Sequence, residues 1–401
     1  MVAGESCMKY SVRFCIILLP AVFLQSGAAG AADPFLWLEE VGGERAMAWV
    51  EAHNTLTTGL LTREAEFAAL KERCLEIYNS DERIAYPSIR QDSIFNFWQS
   101  AVAERGVWRR TTVEGYLSGR PDWDTLLDLD ALSEAEGETW AYKGVNVLEP
   151  AGDRVLVRLS RGGSDAVEIR EFELAGKTFV TNGFFVPEAK SGTAWLDKDT
   201  LLIGTDFGAG SMTASGYPRV VKKWKRGTPL SEAETLFEGQ AEDVSVSPTV
   251  YHNPERTYAF IARSIAFYNT EFYAIEDGSI VKLDLPSDAE VPGLLKGQLL
   301  VELKSDWELD GRTYSRGMLV SVDYNKLLEG KHQVAILHLA KERTSLADVS
   351  TTKNRVLITV YVRGQYDEMY QCTYRDGSWV KTPVHVPGHG TLSVVSADDY
   401  S

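Results

Sequence analysis

The chain has 401 residues, of which 44% are hydrophobic and 10% aromatic, and this is the composition of a globular protein with an ample core. The formal net charge of −16 argues against nucleic acid as a partner, because phosphate binding needs a basic surface. The same charge weighs against binding to an anionic membrane surface, and its simplest role is solubility.

The first 32 residues are predicted to be a signal peptide. Lys9 and Arg13 precede an apolar run at 14–24, and Ala29-Gly30-Ala31 forms a small-x-small cleavage site. The run is shorter than the ~20 apolar residues that a transmembrane helix needs. We therefore expect an exported protein, periplasmic or secreted, without a membrane anchor after cleavage. The alternatives are an uncleaved anchor or a mis-assigned start codon.

Residues 44–78 have the hydrophobic spacing of two consecutive helices, and no other stretch of the chain has so strong a helical pattern. Thr62 is the predicted N-cap of the second helix, because Glu64 and Glu66 follow it near the positive end of the helix dipole. The polar run at 79–81 is the predicted end of that helix.

From about residue 88 the hydrophobic period changes from 3.6 to 2 and stays there. Short runs rich in β-branched and aromatic residues alternate with turns rich in Gly, Asp, Asn and Pro. No helical pattern of 10–15 residues separates the runs, so a parallel α/β sheet is not expected. The predicted strands are 94–98, 107–113, 125–129, 155–160, 169–174, 201–205, 220–224, 258–262, 272–275, 318–322, 334–339, 356–362 and 369–374.

A weak repeat runs through the predicted strands: a polar strand, a turn and an apolar strand recur. The apolar strands begin at 155, 201, 258 and 356, so the last gap is about twice the others. A unit of ~40–50 residues with four strands is typical of propeller blades, and a ring of blades protects the sheet edges. The fold class is therefore predicted to be mainly β, a propeller preceded by a short helical segment; a large sandwich or two stacked β-domains are the alternatives.

The chain shows no motif that would carry a nucleophile, a metal or a phosphate. It contains no Gly-x-Ser-x-Gly elbow. Ser164 lies in a stretch at 161–165 that we interpret as a hairpin turn, and 208–213 is interpreted as a mobile loop between strands. His385 and His389 have Pro387 and Gly388 between them, so they cannot share a helical metal-binding face. No catalytic, cofactor-binding or metal-binding residue is predicted.

Two of the four cysteines, Cys74 and Cys372, lie beyond the predicted leader. Two thiols in a chain of this length do not make a disulfide framework. We expect two buried free thiols, and one disulfide bond in an oxidising compartment is the alternative.

Several stretches resemble the prolyl oligopeptidase family of serine peptidases. Residues 33–40 (DPFLWLEE) and 49–54 (WVEAHN) are similar to the start of that family, and the likeness continues to residue 401. The other stretches that look like its propeller are 95–99 (FNFWQ), 106–112 (GVWRRTT), 128–132 (DLDAL), 159–166 (LSRGGSDA), 167–172 (VEIREF) and 204–208 (GTDFG).

The resemblance implies a signal peptide at 1–32, a helical segment at 33–84 that packs on a C-terminal α/β-hydrolase domain, and a propeller at 85–401. It implies seven blades, and counting in repeat units leaves the last blade incomplete. The family cleaves after proline in short peptides with a Ser-His-Asp triad and no cofactor. The triad belongs to the hydrolase domain, which we expect this chain to lack, so no catalytic residue is carried over.

We therefore interpret the chain as the substrate-gating part of an exported serine endopeptidase, inactive by itself. Its expected partners are short peptides and the hydrolase domain, and neither nucleic acid nor membrane. The alternative is a stand-alone exported propeller that binds peptides or proteins. Without the hydrolase domain, residues 33–401 are expected to fold poorly or to associate.

Overall fold

The computed structural model describes residues 33–40, 42–80, 82–386, 388 and 390–400. The predicted leader lies outside these residues. The chain divides into two compact units, with the boundary between Ile77 and Tyr78. In the described ranges, no helix has the length and apolar character needed to cross a bilayer.

The N-terminal unit is helical, as the sequence predicts. A 3₁₀ helix (Leu36–Glu39) precedes α1 (Glu44–Leu61) and α2 (Ala65–Asn79). The prediction that Thr62 caps the start of α2 is wrong, because Thr62 is the C-cap of α1 and its backbone N–H and hydroxyl both donate to the Thr58 carbonyl. A helix end leaves carbonyls without partners, and Thr62 satisfies one of them.

The apolar side chains of both helices are mostly exposed. Ala46 is the one buried residue of α1, and α2 has none among its described residues. The prediction of a buried thiol at Cys74 is wrong, since Cys74 lies exposed on α2, whereas Cys372 is buried; both thiols are free. An amphipathic helix normally buries its apolar stripe against another element, whereas these helices leave most of their apolar side chains uncovered.

In the described residues, the second unit contains six antiparallel sheets of four or five strands that follow one another along the chain, together with a separate two-stranded hairpin, and the predicted mainly-β fold is confirmed. Sheet 1 contains β1 (Ser88–Arg90), β2 (Ser93–Ser100), β3 (Ala103–Thr112) and β4 (Asp124–Asp128). Sheet 2 contains β5 (Trp140–Val147), β6 (Arg154–Arg161), β7 (Val167–Glu173), β8 (Thr178–Phe179) and β9 (Phe185–Ala189), which pairs with β7. Sheet 3 contains β10 (Gly192–Asp197), β11 (Thr200–Gly204), β12 (Val220–Lys225) and β13 (Glu234–Glu238).

The remaining three sheets continue the same pattern. Sheet 4 contains β14 (Ser245–His252), β15 (Thr257–Ala266), β16 (Asn269–Glu276) and β17 (Ser279–Lys282). Sheet 5 contains β18 (Glu290–Leu295), β19 (Gln298–Glu302), β22 (Leu319–Asp323) and β23 (Val334–His338), and the hairpin of β20 (Trp307–Leu309) and β21 (Arg312–Tyr314) is inserted between β19 and β22. Sheet 6 contains β24 (Thr344–Thr351), β25 (Val356–Val362), β26 (Tyr366–Arg375) and β27 (Ser378–Val384). The linking helices are α3 (Val113–Leu117), α4 (Leu129–Glu136), the 3₁₀ helix Leu230–Glu232 and α5 (Tyr324–Leu328).

The hydrophobic core lies between the sheets rather than inside one of them. Five clusters of buried residues fall at the five junctions between consecutive sheets. On β6, Val155 and Val157 pack towards sheet 1 while Leu156 packs towards sheet 3. Successive side chains of a strand point to opposite faces, so a strand covered on both faces must be apolar at every position.

This two-sided burial explains which strands were predictable. The apolar strands of the predicted repeat, at 155, 201, 258 and 356, are the second strands of sheets 2, 3, 4 and 6. The long gap before the last of them contains β19, the second strand of sheet 5. The first strands of these sheets are the polar strands of the repeat, and their mixed polar and apolar side chains kept them out of the list of predicted strands.

The first strands of sheets 3 and 4 run parallel. Gly192 at the start of β10 lies beside Pro248 in β14, and the Trp195 carbonyl further along β10 accepts from His252 at the end of β14. Sheets whose first strands run side by side in this way, packed face to face in sequence order, form the propeller that the sequence predicts.

The described residues contain six such sheets, and the count of seven blades stays a prediction. Residues 391–400 form no regular strand, but they run beside β1. Ser396 Oγ accepts from the Ile89 N–H at 2.9 Å, and Asp398 Oδ2 accepts from the Gln91 N–H at 3.0 Å. The predicted domain boundary at residue 84 also stays a prediction.

Candidate functional site

The candidate site is a cavity of about 410 Å³ between the first strands of the propeller. It is surrounded by β1, β5, β10, β14 and the C-terminal segment. Its lining consists of Arg90, Asn146, Val147, Glu149, Thr193, Ala194, Trp195, residues 248–252 and residues 397–400. A volume of this size accommodates a small molecule or a short stretch of extended peptide.

Hydrogen bonds between sheets hold the polar wall of the cavity in place. Asn146 Nδ2 donates to the Thr193 carbonyl at 2.7 Å, and Trp195 Nε1 donates to the Asn146 carbonyl at 3.0 Å. His252 Nε2 donates to the Trp195 carbonyl at 2.9 Å, and Thr257 binds Nδ1 of the same ring. Burial lowers the pKa of His252, so this imidazole is neutral at pH 7 and serves to join β10 to β14.

One end of the cavity carries more negative than positive charge. Arg90 Nε lies 3.7 Å from Glu149 Oε1, and Asp398 and Asp399 lie on the same wall. Burial raises the pKa of Glu149, and the two aspartates raise it further, although Arg90 opposes them. Burial also raises the pKa of Asp399, against a hydrogen bond from Thr351. Three carboxylates around one guanidinium therefore make this end a place where positively charged groups are favoured over anions.

The C-terminal segment closes part of the cavity. Asp398 is 6% exposed and accepts from the Gln91 N–H directly after β1, as described above. The Tyr400 hydroxyl donates to the His252 carbonyl at 2.5 Å, and burial raises the pKa of Tyr400. The segment thereby joins sheet 1 to sheet 4 across the cavity.

The sequence features that could be mistaken for a catalytic site lie elsewhere. The stretch at 161–165 is a turn between β6 and β7, as predicted, and Ser164 hydrogen-bonds Ser160. His385 follows β27, whereas His389 lies outside the described residues. Within the described part of the chain, no serine hydroxyl is hydrogen-bonded to a histidine, and no group of three His, Cys, Asp or Glu residues is placed to hold a metal ion.

The loop at 208–213 is more constrained than the mobile loop that the sequence suggests. Ser211 is buried, accepts from the Phe207 N–H at 2.8 Å and donates to the Gly208 carbonyl at 2.7 Å. Arg219 Nε donates to the Gly210 carbonyl at 2.8 Å. These hydrogen bonds favour a fixed conformation of the loop. They join polar groups, and hydrophobic spacing gives no information about such contacts.

Arg90, Glu149, Asn146 and His252 were not singled out from the sequence as site residues. The available signal was the polar strand of each repeat, which is the first strand of its sheet, and the first strands of sheets 1 to 4 line the cavity. The repeat contains these polar strands but does not predict that they line one cavity. Only the ring arrangement of the sheets brings together first strands that lie as far apart in sequence as residues 90 and 252.

Comparison with known proteins agrees with this architecture. Residues 23–401 match the family model described as prolyl oligopeptidase, N-terminal β-propeller domain. An uncharacterized peptidase, y4nA, from Sinorhizobium fredii is 38% identical over 381 residues, which are 92% of this chain and 52% of that protein. Another uncharacterized peptidase, RP174 from Rickettsia prowazekii, is 30% identical and is matched over 81% of this chain and 47% of its own length.

A solved structure shares the fold as well. The post-proline cleaving enzyme from Rickettsia typhi superposes with a TM-score of 0.82 at 29% identity, over 88% of this chain and 53% of that enzyme. The chain therefore spans about half the length of the relatives that it matches. The family match covers the described propeller and the helices before it, and the chain belongs to the prolyl oligopeptidase family, in which it corresponds to the N-terminal β-propeller domain.

Proposed function

We propose that this chain is the substrate-gating part of an exported prolyl oligopeptidase-like serine endopeptidase that acts on short proline-containing peptides. The observation that carries the proposal is the cavity between the first strands of a propeller whose relatives are peptidases of about twice its length. In this proposal the Ser-His-Asp triad lies in a C-terminal hydrolase domain, and the chain alone is inactive.

The size of the cavity supports selection of short peptides. A single α-helix with side chains is ~10–12 Å across, so a folded domain cannot enter about 410 Å³. An extended peptide exposes backbone amides that need partners, and the carbonyl oxygens that line the cavity can each accept a second hydrogen bond beside those that they already accept within the wall. The gate therefore selects for length and flexibility rather than for one side chain.

Two uncovered apolar surfaces support the hydrolase domain as partner. One is the exposed face of α1 and α2, where Leu56 is 62% and Leu70 is 63% exposed. The other lies at the leading end of the propeller, which we define as the end where the first strand of each sheet begins. There the turn between β2 and β3 exposes Val102, and the turn between β15 and β16 exposes Phe267 and Tyr268.

The leading end is more apolar than the opposite end. The β15–β16 turn belongs to it, because Ser264 near the end of β15 pairs with Ser245 at the start of β14. On the opposite end, Leu117 in α3 is the corresponding exposed apolar side chain in the described residues. Monomeric proteins rarely leave such surfaces free, so the leading end is the surface that we expect a second domain to cover.

A chimera tests the gating function. The chain is joined to the C-terminal part of the Sinorhizobium peptidase that lies beyond the matched region. We expect the chimera to hydrolyse a chromogenic prolyl dipeptide, to be blocked by a serine-directed inhibitor, and to leave the same sequence uncut inside a folded protein. Purified residues 33–401 are the control and should give no turnover.

Two results would contradict the proposal. Inhibitor-sensitive turnover by residues 33–401 alone would place the catalytic group within this chain. A chimera that cuts folded and unfolded substrates equally well would show that the propeller does not act as a gate. If residues 33–401 instead form a stable monomer that binds peptides with no effect of the added domain, the stand-alone propeller is the better description.

Export is part of the same proposal and has its own test. Removal of the predicted leader at 1–32 gives a mature protein that starts at Asp33. Expression in a bacterial host with fractionation and N-terminal sequencing should find the protein outside the cytoplasm with that N-terminus. An unprocessed chain in the cytoplasm would refute export without affecting the peptidase assignment.

A further inference from the structure

A lysine and a histidine lie in direct contact where sheet 5 meets sheet 6. His338 is the last residue of β23, and Lys381 lies in β27; these outermost strands of the two sheets are in contact. Lys381 Nζ donates to His338 Nδ1 at 2.9 Å, and His338 is 4% exposed. The acceptor nitrogen must be unprotonated for this bond to form, so the contact requires a neutral imidazole.

The surroundings of Lys381 provide little negative charge. Its Nζ lies 3.8 Å from the centre of the Tyr370 ring, and its cross-strand neighbour is the buried thiol Cys372. The Tyr370 hydroxyl donates to Glu368, and Lys341 lies on the link that follows β23. In the described ranges, no carboxylate lies within ion-pair distance of the Lys381 ammonium. The ammonium is therefore stabilised by the aromatic face and the neutral imidazole.

We propose that the His338–Lys381 contact is an acid-sensitive latch, which joins sheets 5 and 6 at neutral pH and opens when the imidazole takes up a proton. Protonation removes the acceptor and places a second cation, on an almost fully buried ring, at hydrogen-bond distance from the first. The contact then changes from attractive to repulsive, and the outermost strands of the two sheets, β23 and β27, separate. This inference does not depend on the proposed peptidase function.

The direction of the pH dependence follows from the histidine. Burial lowers the pKa of His338 to about 4, and Lys381 and Lys341 lower it in the same direction. In an opened seam the pKa returns towards the ordinary value of ~6.5. Because the folded pKa is the lower one, the contribution of the latch is complete above pH ~6.5 and is lost as the pH falls through about 4.

Hydrogen exchange provides a local test on the full chain. Exchange of the β27 amides is compared at pH 7 and pH 4.5, corrected for the intrinsic rate, with β12 as the internal reference. From pH 7 to pH 4.5, we expect the equilibrium constant for opening of β27 to increase about tenfold more in the wild type than in His338→Gln. The glutamine side chain accepts a hydrogen bond from Lys381 but does not titrate. His53→Gln, on the exposed face of α1, is the matched control and should behave as the wild type.

Direct titration of the histidine keeps the proposal testable if His338→Gln does not fold. In Lys381→Met the aliphatic stem stays and the charge is lost. NMR of isotope-labelled histidines should then show His338 titrating about one pH unit higher than in the wild type, with the other histidines unchanged. A wild-type His338 whose pKa is not below the ordinary ~6.5, or an unchanged value in Lys381→Met, would overturn the latch. Equal acid opening of β27 in wild type and His338→Gln would do the same.

Discussion

At the scale of single residues, Glu171 shows how a buried carboxylate joins two blades. Its side chain is 0% exposed and accepts from Arg154 of its own sheet at 2.9 Å and from Arg226 of sheet 3 at 2.8 Å. The Phe184 N–H also donates to it at 2.9 Å. Burial alone would raise the pKa of Glu171, but the hydrogen bonds from Arg226, Phe184 and Arg154 outweigh burial and lower it.

Replacing Glu171 with Gln should strongly destabilise the propeller. Gln has the same shape but leaves Arg154 without its counter-charge and Arg226 with Asp199 as its remaining carboxylate partner, and breaking a buried ion pair costs about 3–5 kcal/mol. Equilibrium urea denaturation followed by tryptophan fluorescence measures the change in the free energy of unfolding. Glu234→Gln, on an exposed position of β13, is the control and should change stability by less than ~0.5 kcal/mol. Equal effects of the two substitutions would show that the Glu171 contacts add nothing.

A second residue-scale prediction compares two glycines. Gly106 has φ +95°, and a Cβ there would lie 2.5 Å from Phe97 Cζ, whereas Gly162 has φ +63° and open space around it. Gly106→Ala should lose about 2–4 kcal/mol of stability, because strain at positive φ is joined by overpacking against the ring. Gly162→Ala should lose only ~1 kcal/mol, from the backbone conformation alone. Thermal unfolding of the two variants gives the comparison, and similar melting temperatures would contradict the role of Phe97.

Sequence analysis cannot identify such residues, for a physical reason. Glu171 and Arg226 are 55 positions apart, and the distance between them is decided by how sheet 2 packs on sheet 3. Hydrophobic spacing reports the environment of a residue along its own strand and not the partner that it meets in another sheet. The turn at 161–165 was predictable because its residues, Gly162 and Gly163 among them, determine their own backbone conformation.

At the scale of elements, the β15–β16 hairpin has a turn that its sequence does not favour. Phe267 and Tyr268 form a two-residue connection between Ala266 and Asn269, and neither adopts a positive φ. Two-residue hairpins are most stable with Asn-Gly or a similar pair at positive φ. Two large aromatic residues, 84% and 83% exposed, are therefore better explained by a contact outside the hairpin.

Substitution of the hairpin tip separates binding from stability. Phe267→Ser with Tyr268→Ser should change the free energy of unfolding by no more than ~0.5 kcal/mol, because both side chains are solvated. The same change should lower the fluorescence of a hydrophobic dye bound to the native protein. Leu117→Ser, on the opposite end, is the matched control and should have the smaller effect on dye binding. A large loss of stability in the double variant would mean that the tip is structural.

Elements differ in how well they were predicted, and burial accounts for the difference. Strands such as β6 and β11 are covered on both faces, so their composition alone identifies them. Edge strands such as β8 and β17 are short and half exposed, and β1 is held partly by side chains of the distant C-terminal segment. Their identity depends on neighbours rather than on their own residues.

At the scale of the whole molecule, the exposed apolar side chains of α1 and α2 determine how the isolated chain behaves. Residues 33–401 should associate in a concentration-dependent manner, because an uncovered apolar helix face is a site for a second copy when no domain covers it. Leu56→Ser, Leu60→Ser and Leu70→Ser together should weaken this association by at least about tenfold in Kd, which corresponds to 1.4 kcal/mol.

Sedimentation velocity over a range of concentrations measures this association. In the control, the exposed residues Glu66 and Glu72 of α2 are replaced with Ser, and this variant should associate as strongly as the wild type. A wild-type chain that stays monomeric, melts in one sharp reversible transition and binds no hydrophobic dye would contradict the prediction. That result would also favour the stand-alone propeller over the peptidase fragment.

Because each sheet is built from consecutive strands, the order of the sheets along the chain has a kinetic consequence. The pairings inside a sheet close short loops, and short loops form quickly. During synthesis, each blade can form as soon as its own ~50 residues have left the ribosome, before the next blade exists. The contacts of the C-terminal segment with β1 span 307 positions, so they are the last to form. The cavity is thus completed only after all six sheets have formed.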